Sequence, residues 1–211
     1  PVIGLLIGVL LLLMQTTAAL IFGRGVAAVL VVVLWAVLTG GLHLDGLADC
    51  CDGLLVSAPR ERRLEIMRDP RVGSFAVTGL VLVLLLKAAA VFWLPGGLGG
   101  SLALLLAPIW ARWWILLAAN RPPARADGLG SSFAAALTPR LLGYALVLPL
   151  VLLGVGAWFD WRSLAAVACS GLVCLGVLQL AKARIGGITG DVLGAVVELT
   201  EVAFLVGMAR A

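Results

Sequence analysis

Long apolar segments are the feature that most constrains the fold of this chain of 211 residues. A helix needs about 20 apolar residues to cross the roughly 30 Å hydrocarbon core of a membrane. Segments of about that length recur at 2–22, 25–42, 73–94, 101–119, 141–158, 164–181 and 192–208. The alternation of polar and apolar residues typical of a transmembrane β-barrel is absent from the sequence. We therefore predict an all-α, polytopic helical membrane protein with about seven transmembrane helices.

The distribution of basic residues predicts how these helices are oriented. Most of the 15 Lys and Arg residues lie in three connections on one side, at 43–72, 120–140 and 182–191. Connections rich in Lys and Arg face the cytoplasm, so this side is predicted to be cytoplasmic. We expect one membrane-embedded domain over 1–211. We also expect the natural N-terminus to lie upstream, since Pro1 stands within an apolar run.

The only histidine and three aspartates lie close together beside these apolar segments. Asp45, Asp49 and Asp52 are spaced so that a helix would present all three carboxylates on one face. Charged groups next to hydrocarbon are costly, and where they persist they usually mark function. The alternative is a solvated helix start without a functional role. Four glycines bracket the cluster and are predicted to let a bulky substrate approach the backbone: Gly40, Gly41, Gly46 and Gly53.

The aspartate cluster predicts a divalent metal ion. Close carboxylates raise one another's pKa unless a cation lies among them. Hard oxygen ligands of this kind suit Mg²⁺ or Mn²⁺, which are usually held by a few carboxylates together with substrate phosphates. We therefore predict Asp45, Asp49 and Asp52 as metal ligands. Asp45, Asp52 and His43 are the predicted catalytic residues, although His43 could equally be a structural hydrogen-bonding residue.

The segment Arg60–Gly73 is predicted to form a short cytoplasmic amphipathic helix that lies on the membrane surface. Glu65 and Asp69 would share one face of it, and we predict both as further metal ligands. Arg68 and Arg71 are predicted to bind substrate, because guanidinium groups hold phosphate oxygens with two hydrogen bonds. The alternative is a basic interfacial helix that only anchors the topology. That alternative is favoured for three other arginines: Arg60, Arg62 and Arg63.

A glycine-rich turn near the C-terminal end forms the third constellation. A turn of this kind that opens a helix offers free backbone N–H groups to an anion. Two glutamates follow in the predicted membrane helix, where acidic residues usually have a function. We predict five substrate-binding residues here: Gly187, Thr189, Asp191, Glu198 and Glu201. A structural role for the glutamates, paired with Lys87 or Arg112, is the alternative.

Acids, arginines and a glycine turn on one side of a membrane protein fit metal-assisted phosphoryl chemistry. A metal ion would neutralise phosphate charge while a carboxylate takes the proton from an attacking hydroxyl. The chain has no basic stripe interleaved with exposed aromatic residues, so nucleic acid is not an expected partner.

Three motifs resemble the cobalamin synthase family, the adenosylcobinamide-GDP ribazoletransferases. They read GGLHLDGLADCCDG at 40–53, RRLEIMRDPRVG at 62–73 and GGITGDVLGAVVELTE at 186–201. The resemblance implies a Mg²⁺-dependent transferase that completes the lower nucleotide loop of cobalamin. The 5′-hydroxyl of α-ribazole, or the phosphate ester analogue of α-ribazole, would attack the cobinamide-side phosphoryl group of adenosylcobinamide-GDP, and GMP would leave.

The same resemblance implies a multi-pass protein of the bacterial inner membrane with its site facing the cytoplasm. Its expected partners are the substrates adenosylcobinamide-GDP and α-ribazole, and membrane lipid. Whether the protein forms a homo-oligomer stays open. The metal, catalytic and substrate-binding residues predicted above fall within the three motifs, so the resemblance and the reading of the residues point to the same positions.

Two other functions are alternatives. A CDP-alcohol phosphotransferase also has spaced aspartates, but its signature requires an arginine where Asp49 follows Ala48. An ion-coupled transporter could use Glu198 as a proton relay. Transporters of that kind are often built from inverted repeats with interrupted spans, and the sequence shows no convincing repeat.

Overall fold

The computed structural model describes residues 1–125 and 137–210, and its regular elements are helices. The helices are α1 Val2–Leu38, α2 Leu42–Leu55, α3 Arg60–Ile66, α4 Ser74–Phe92, α5 Leu98–Ala119, α6 Pro139–Phe159, α7 Arg162–Ile185 and α8 Gly190–Met208. No strand occurs within these described ranges, which confirms the all-α prediction. Residues 126–136 of the predicted loop 120–140 lie outside the described residues.

Five of these helices are long and apolar enough to cross a membrane, namely α1, α4, α5, α6 and α7. The chain is therefore a helical membrane protein, but seven separate transmembrane helices are not confirmed. The predicted segments 2–22 and 25–42 both lie in α1, which is interrupted at Gly23 by a positive φ of 77° that glycine adopts without steric cost. The predicted segment 192–208 lies in the acidic α8, whose residues 192–198 are all buried.

The first half of α1 packs closely on α5 because small residues face the contact. A Cβ atom on Gly8 would lie only 2.8 Å from the Cα of Leu105, and one on Gly4 would collide with the carbonyl oxygen of Pro108. After the interruption, the Arg24 guanidinium donates hydrogen bonds to the carbonyl oxygens of Phe92, at 3.0 Å, and Leu94, at 2.7 Å. The end of α4 is thereby held against the interruption in α1.

Buried apolar residues fix which face of α2 points into the protein. Leu47, Cys50 and Leu54 belong to one apolar cluster that also contains Ile185 of α7 and Val192 of α8. Burial of this stripe removes apolar surface from water and orients the helix. The aspartates lie away from the cluster and more exposed to solvent.

The short helix α3 exists, but the predicted amphipathic arrangement on the membrane surface is not confirmed. Arg63 is only 4% exposed, and its guanidinium donates to the carbonyl oxygens of Gly53, Leu54 and Ala58 at 2.8–3.0 Å. These are carbonyls at and beyond the end of α2, which lack partners within that helix. Arg60 likewise donates to the carbonyl oxygens of Ile185 and Ala124. Arg60 and Arg63, which the sequence predicts as surface anchors, therefore attach α3 to neighbouring segments of the protein.

Candidate active site

Two glycines let α2 and α8 pack with their backbones in contact. A Cβ atom on Gly46 would lie 2.8 Å from the carbonyl oxygen of Asp191, and one on Gly194 would lie 3.1 Å from that of His43. Gly46 therefore receives the backbone of α8 rather than a substrate. Gly53 is likewise covered by Met67, so the predicted access of substrate to these two glycines is wrong. The close packing brings Asp191 next to the aspartates of α2.

Asp49 lies at the centre of the acidic group. Burial is the largest influence on its carboxyl, and the nearby carboxylates of Asp191, Asp45 and Asp52 add to it, so that the pKa of Asp49 rises to about 7. Among the described residues, Arg125 opposes this rise. The predicted clustering of acids is present, and it includes Asp191, which the sequence had assigned to a separate substrate-binding turn.

Asp191 is held by polar groups on both sides. Its Oδ2 accepts a hydrogen bond from the Thr189 hydroxyl at 3.1 Å and one from the Arg125 guanidinium at 3.2 Å. Burial nevertheless raises the pKa of Asp191, because its effect exceeds that of these two partners. Thr189 also caps α8 by accepting from the Val192 N–H at 3.3 Å. Thr189 thus positions Asp191, and its predicted contact with substrate stays a prediction.

The glycine-rich turn packs against the segment that carries Arg125. A Cβ atom on Gly187 would lie 2.6 Å from the carbonyl oxygen of Pro122. The Ile188 N–H donates to Pro122 at 3.1 Å, and the Ala124 N–H donates to Ile188 at 2.8 Å. These contacts fix Arg125 beside Asp191. Arg125 was missed as a site residue, because in the sequence it is one of several arginines in a polar loop.

Asp52 has a role within the fold. Its carboxylate accepts the backbone N–H groups of Gly73 at 2.6 Å and Ala76 at 2.9 Å. It therefore satisfies the free donors at the N-terminus of α4, as a capping residue does. The predicted roles of Asp52 as a metal ligand and catalytic residue stay predictions beside this structural one.

The acids of the second motif are paired within their own segment. Arg71 donates two side-chain hydrogen bonds to Asp69, at 2.6 and 2.9 Å, and these bonds lower the pKa of Asp69 to about 2. The Glu65 carboxylate accepts from Arg62 at 2.9 Å. Over residues 1–125 and 137–210, no group of three or more His, Cys, Asp or Glu side chains is arranged to hold a metal ion. The binding of a metal ion by the predicted five residues stays a prediction.

Glu198 and Glu201 face two cations deeper in the protein. Lys87 donates to Glu198 at 2.9 Å and to Glu201 at 2.6 Å, and Arg112 pairs with Glu201. The Lys87 ammonium also lies 4.1 Å from the centroid of the Trp35 ring, a favourable cation–π distance. The structural pairing that the sequence left open is therefore present. Contact of the two glutamates with substrate stays a prediction.

His43 lies near the buried pairs that Lys87 and Arg112 form with the glutamates. Its Nδ1 is buried and has no hydrogen-bond partner in the described part of the chain. Burial is the main reason why the pKa of His43 falls to about 4, and Arg112 lowers it further. The imidazole is thus neutral at pH 7, and its electrostatic neighbours are Arg112, Glu201 and Lys87. Its assignment as a catalytic residue stays a prediction.

A basic cleft of about 340 Å³ opens beside the acidic group. Its lining residues are Arg60, Glu61, Leu64, Glu65, Arg68, Ala124 and Arg125. Arg125 takes part in both places, because it lines the cleft and pairs with Asp191. Arginines at this density suit phosphate oxygens. A phosphate in the cleft would therefore lie next to the carboxylates.

Apolar helices around an acidic group and a cleft lined by three arginines define a polytopic helical membrane protein. The family described as Cobalamin-5-phosphate synthase matches residues 1–209, and the chain belongs to this family. The family is one of transferases in cobalamin biosynthesis, which confirms the predicted class of enzyme.

Relatives named adenosylcobinamide-GDP ribazoletransferase support the same family. The one from Pseudomonas entomophila is 45% identical over 99% of this chain and 85% of its own length. The relatives from Roseiflexus sp. and Geotalea daltonii are each 40% identical, over 97% and 96% of this chain and 75% and 81% of their own lengths. No solved structure matches the chain.

Proposed function

We propose that the chain joins adenosylcobinamide-GDP to α-ribazole, or to α-ribazole phosphate, with release of GMP. The relatives' names support this substrate pair. The observation that carries the proposal is the position of Asp49, which lies among Asp45, Asp52 and Asp191 and beside the basic cleft. A diphosphate substrate needs both parts, namely cations for its oxygens and carboxylates for the proton and the metal ion.

We assign the binding of the diphosphate to the basic cleft. Arg60 is held in place by two carbonyl oxygens, of Ile185 and Ala124, each at 2.8 Å. A guanidinium fixed in this way loses little further freedom when it binds phosphate. Arg125 would hold the phosphoryl group that faces the aspartates. Arg68, also a lining residue of the cleft, keeps its predicted role in substrate binding.

The residues fit Mg²⁺ by their chemistry. Hard carboxylate oxygens from Asp45, Asp49 and Asp191 outnumber the cation Arg125, and these carboxylates add to the effect of burial in raising the pKa of Asp49. Mg²⁺ is commonly bound by one or two carboxylates plus water and substrate phosphates, so a complete cage of protein ligands is not required. Asp49 and Asp191, together with substrate phosphates, would hold the ion, which would supply neutralising charge to the phosphates.

We assign Asp45 as the acceptor of the proton, because it is the most exposed carboxylate of the group. The hydroxyl oxygen of α-ribazole forms a bond to the cobinamide-side phosphorus. The bond between this phosphorus and the bridging oxygen breaks, and GMP leaves with the electron pair. The hydroxyl proton goes to Asp45, so atoms and charge balance. The reaction would take place on the cytoplasmic face of the bacterial inner membrane.

The test is turnover of the purified protein in lipid nanodiscs with both substrates and Mg²⁺. GMP and the complete corrinoid should form, and Asp45→Asn should reduce kcat by at least about 100-fold, in the range expected for a general base. Asp160→Asn is the matched control, since Asp160 lies in the connection between α6 and α7 and pairs with Arg210. Absence of product from folded protein would refute the substrate assignment. Full activity of Asp45→Asn would refute the role of Asp45 alone.

A further inference from the structure

A second cavity, which we name the interface cavity, opens at the predicted cytoplasmic end of α7. Its volume is about 290 Å³. It lies between α7, the turn that follows α7, and the segment that precedes Arg125. The lining residues are Arg121, Pro122, Leu175, Leu178, Gln179, Lys182, Gly186, Gly187 and Ile188.

The lining changes from apolar to cationic along the axis of α7. Leu175 lies ten residues before the end of α7, which corresponds to a depth of about 15 Å at 1.5 Å per residue. Lys182 lies in the last turn of the helix, and Arg121 lies across the cavity from α7. Among the described residues that line the cavity, none is acidic. Because α7 is long and apolar enough to cross a membrane, this gradient would run from the hydrocarbon core toward the membrane surface.

We propose that the interface cavity binds one acidic phospholipid. Its phosphate would lie between Arg121 and Lys182, and the Gln179 amide would donate to an ester oxygen. The start of an acyl chain would lie along Leu175 and Leu178. The two cations, with no acid among the described lining residues, complement an anion. The adjoining leucines complement an acyl chain, so the cavity matches both parts of such a lipid. Acidic lipids are concentrated in the cytoplasmic leaflet, where basic groups bind them.

The position of the cavity links this lipid to the active site. The wall formed by Gly187 and Ile188 is hydrogen-bonded to the segment Pro122–Ala124. The next residue on that segment is Arg125, which pairs with Asp191 at 3.2 Å. A bound lipid would therefore hold the two segments that carry this pair. This consequence, unlike the binding itself, rests on the function proposed above.

Native mass spectrometry of the purified protein tests the binding, because it needs no turnover. The protein is exchanged into phosphatidylglycerol or phosphatidylcholine, and the mass of the lipid that stays bound is measured. Wild-type protein should keep one phosphatidylglycerol. Arg121→Gln with Lys182→Gln should weaken its retention roughly 30-fold, on the basis of two basic contacts. Arg140→Gln with Arg184→Gln removes the same charge outside the cavity and should retain the lipid as wild type does.

A second pair of variants separates the cavity from general surface charge and does not depend on the folding of the glutamine variants. Leu175→Trp fills the cavity and keeps every cation, so it should also lose the lipid. Leu172 is 70% exposed and lies outside the lining, so Leu172→Trp should behave as wild type. Equal retention by Leu175→Trp and wild type would overturn the proposal. Displacement of the phospholipid by GDP would also overturn it, because the cavity would then be a nucleotide site.

Discussion

Gly46→Ala tests whether the contact between α2 and α8 assembles the active site. The added Cβ would lie 2.8 Å from the Asp191 carbonyl oxygen, whereas ordinary contact begins at 3.4 Å, so the helices must separate by about 0.6 Å. Overpacking of this kind costs about 1–3 kcal/mol of stability. A misplacement near 1 Å can cost about 100-fold in rate, because Asp191 moves away from Asp45 and Asp49. We expect a loss of kcat of about tenfold or more in protein that still folds.

The assay compares kcat per folded molecule with the free energy of unfolding in the same detergent. Gly176→Ala is the control, since a Cβ on this helical glycine of α7 meets no atom of the described residues within 4 Å. It should leave kcat unchanged and, by improving helix propensity, stabilise the protein by up to about 1 kcal/mol. Wild-type kcat and stability in Gly46→Ala would show that the helices do not need this contact, and the reasoning would fail.

Three further predictions concern groups whose partners the structure identifies. Lys87→Met should destabilise the protein by about 3–5 kcal/mol, because Glu198 would be left buried without its cation, and adding Glu198→Gln should recover part of the loss in denaturant unfolding. Arg63→Ala should lower the free energy of unfolding by about 3 kcal/mol through three lost hydrogen bonds. The change Arg62→Ala, at an exposed residue, should lower it by less than about 1 kcal/mol. Equal losses would contradict the role of Arg63 in attaching α3 to the end of α2. Asp52→Ala should lower stability by about 1–2 kcal/mol, and Asp52→Asn by less; a loss of kcat in stable Asp52→Asn would reveal a catalytic role beyond capping.

The sequence predicted the helices well because apolar length is a local property. The boundary between the segments 2–22 and 25–42 falls at Gly23, where α1 is interrupted. Two helical stretches meet there, since a single glycine in a non-helical conformation is enough to interrupt the helix. The acidic α8 was also predicted as a membrane helix from length, although its surroundings are mostly protein.

The site was predicted less completely, because its members meet through distant parts of the chain. The spacing of Asp45 and Asp49 correctly placed both in one acidic group. It could not show that Asp52 caps α4, whose first N–H group lies 21 residues further along. Arg125 reaches Asp191 across 66 residues, and no local pattern indicates this pair. Pairwise contacts between helices must be known before such partners can be assigned.

The buried pairing of α8 with α4 and α5 has a consequence for how the chain is made. A helix that carries Glu198 and Glu201 is a poor substrate for insertion by a translocon, since each acid adds a few kcal/mol. Lys87 in α4 and Arg112 in α5 are synthesised before α8. The helix α8 therefore joins α4 and α5 by charge neutralisation. A chain without α8 would leave Lys87 and Arg112 without these partners, and a charged side chain within a membrane costs a few kcal/mol.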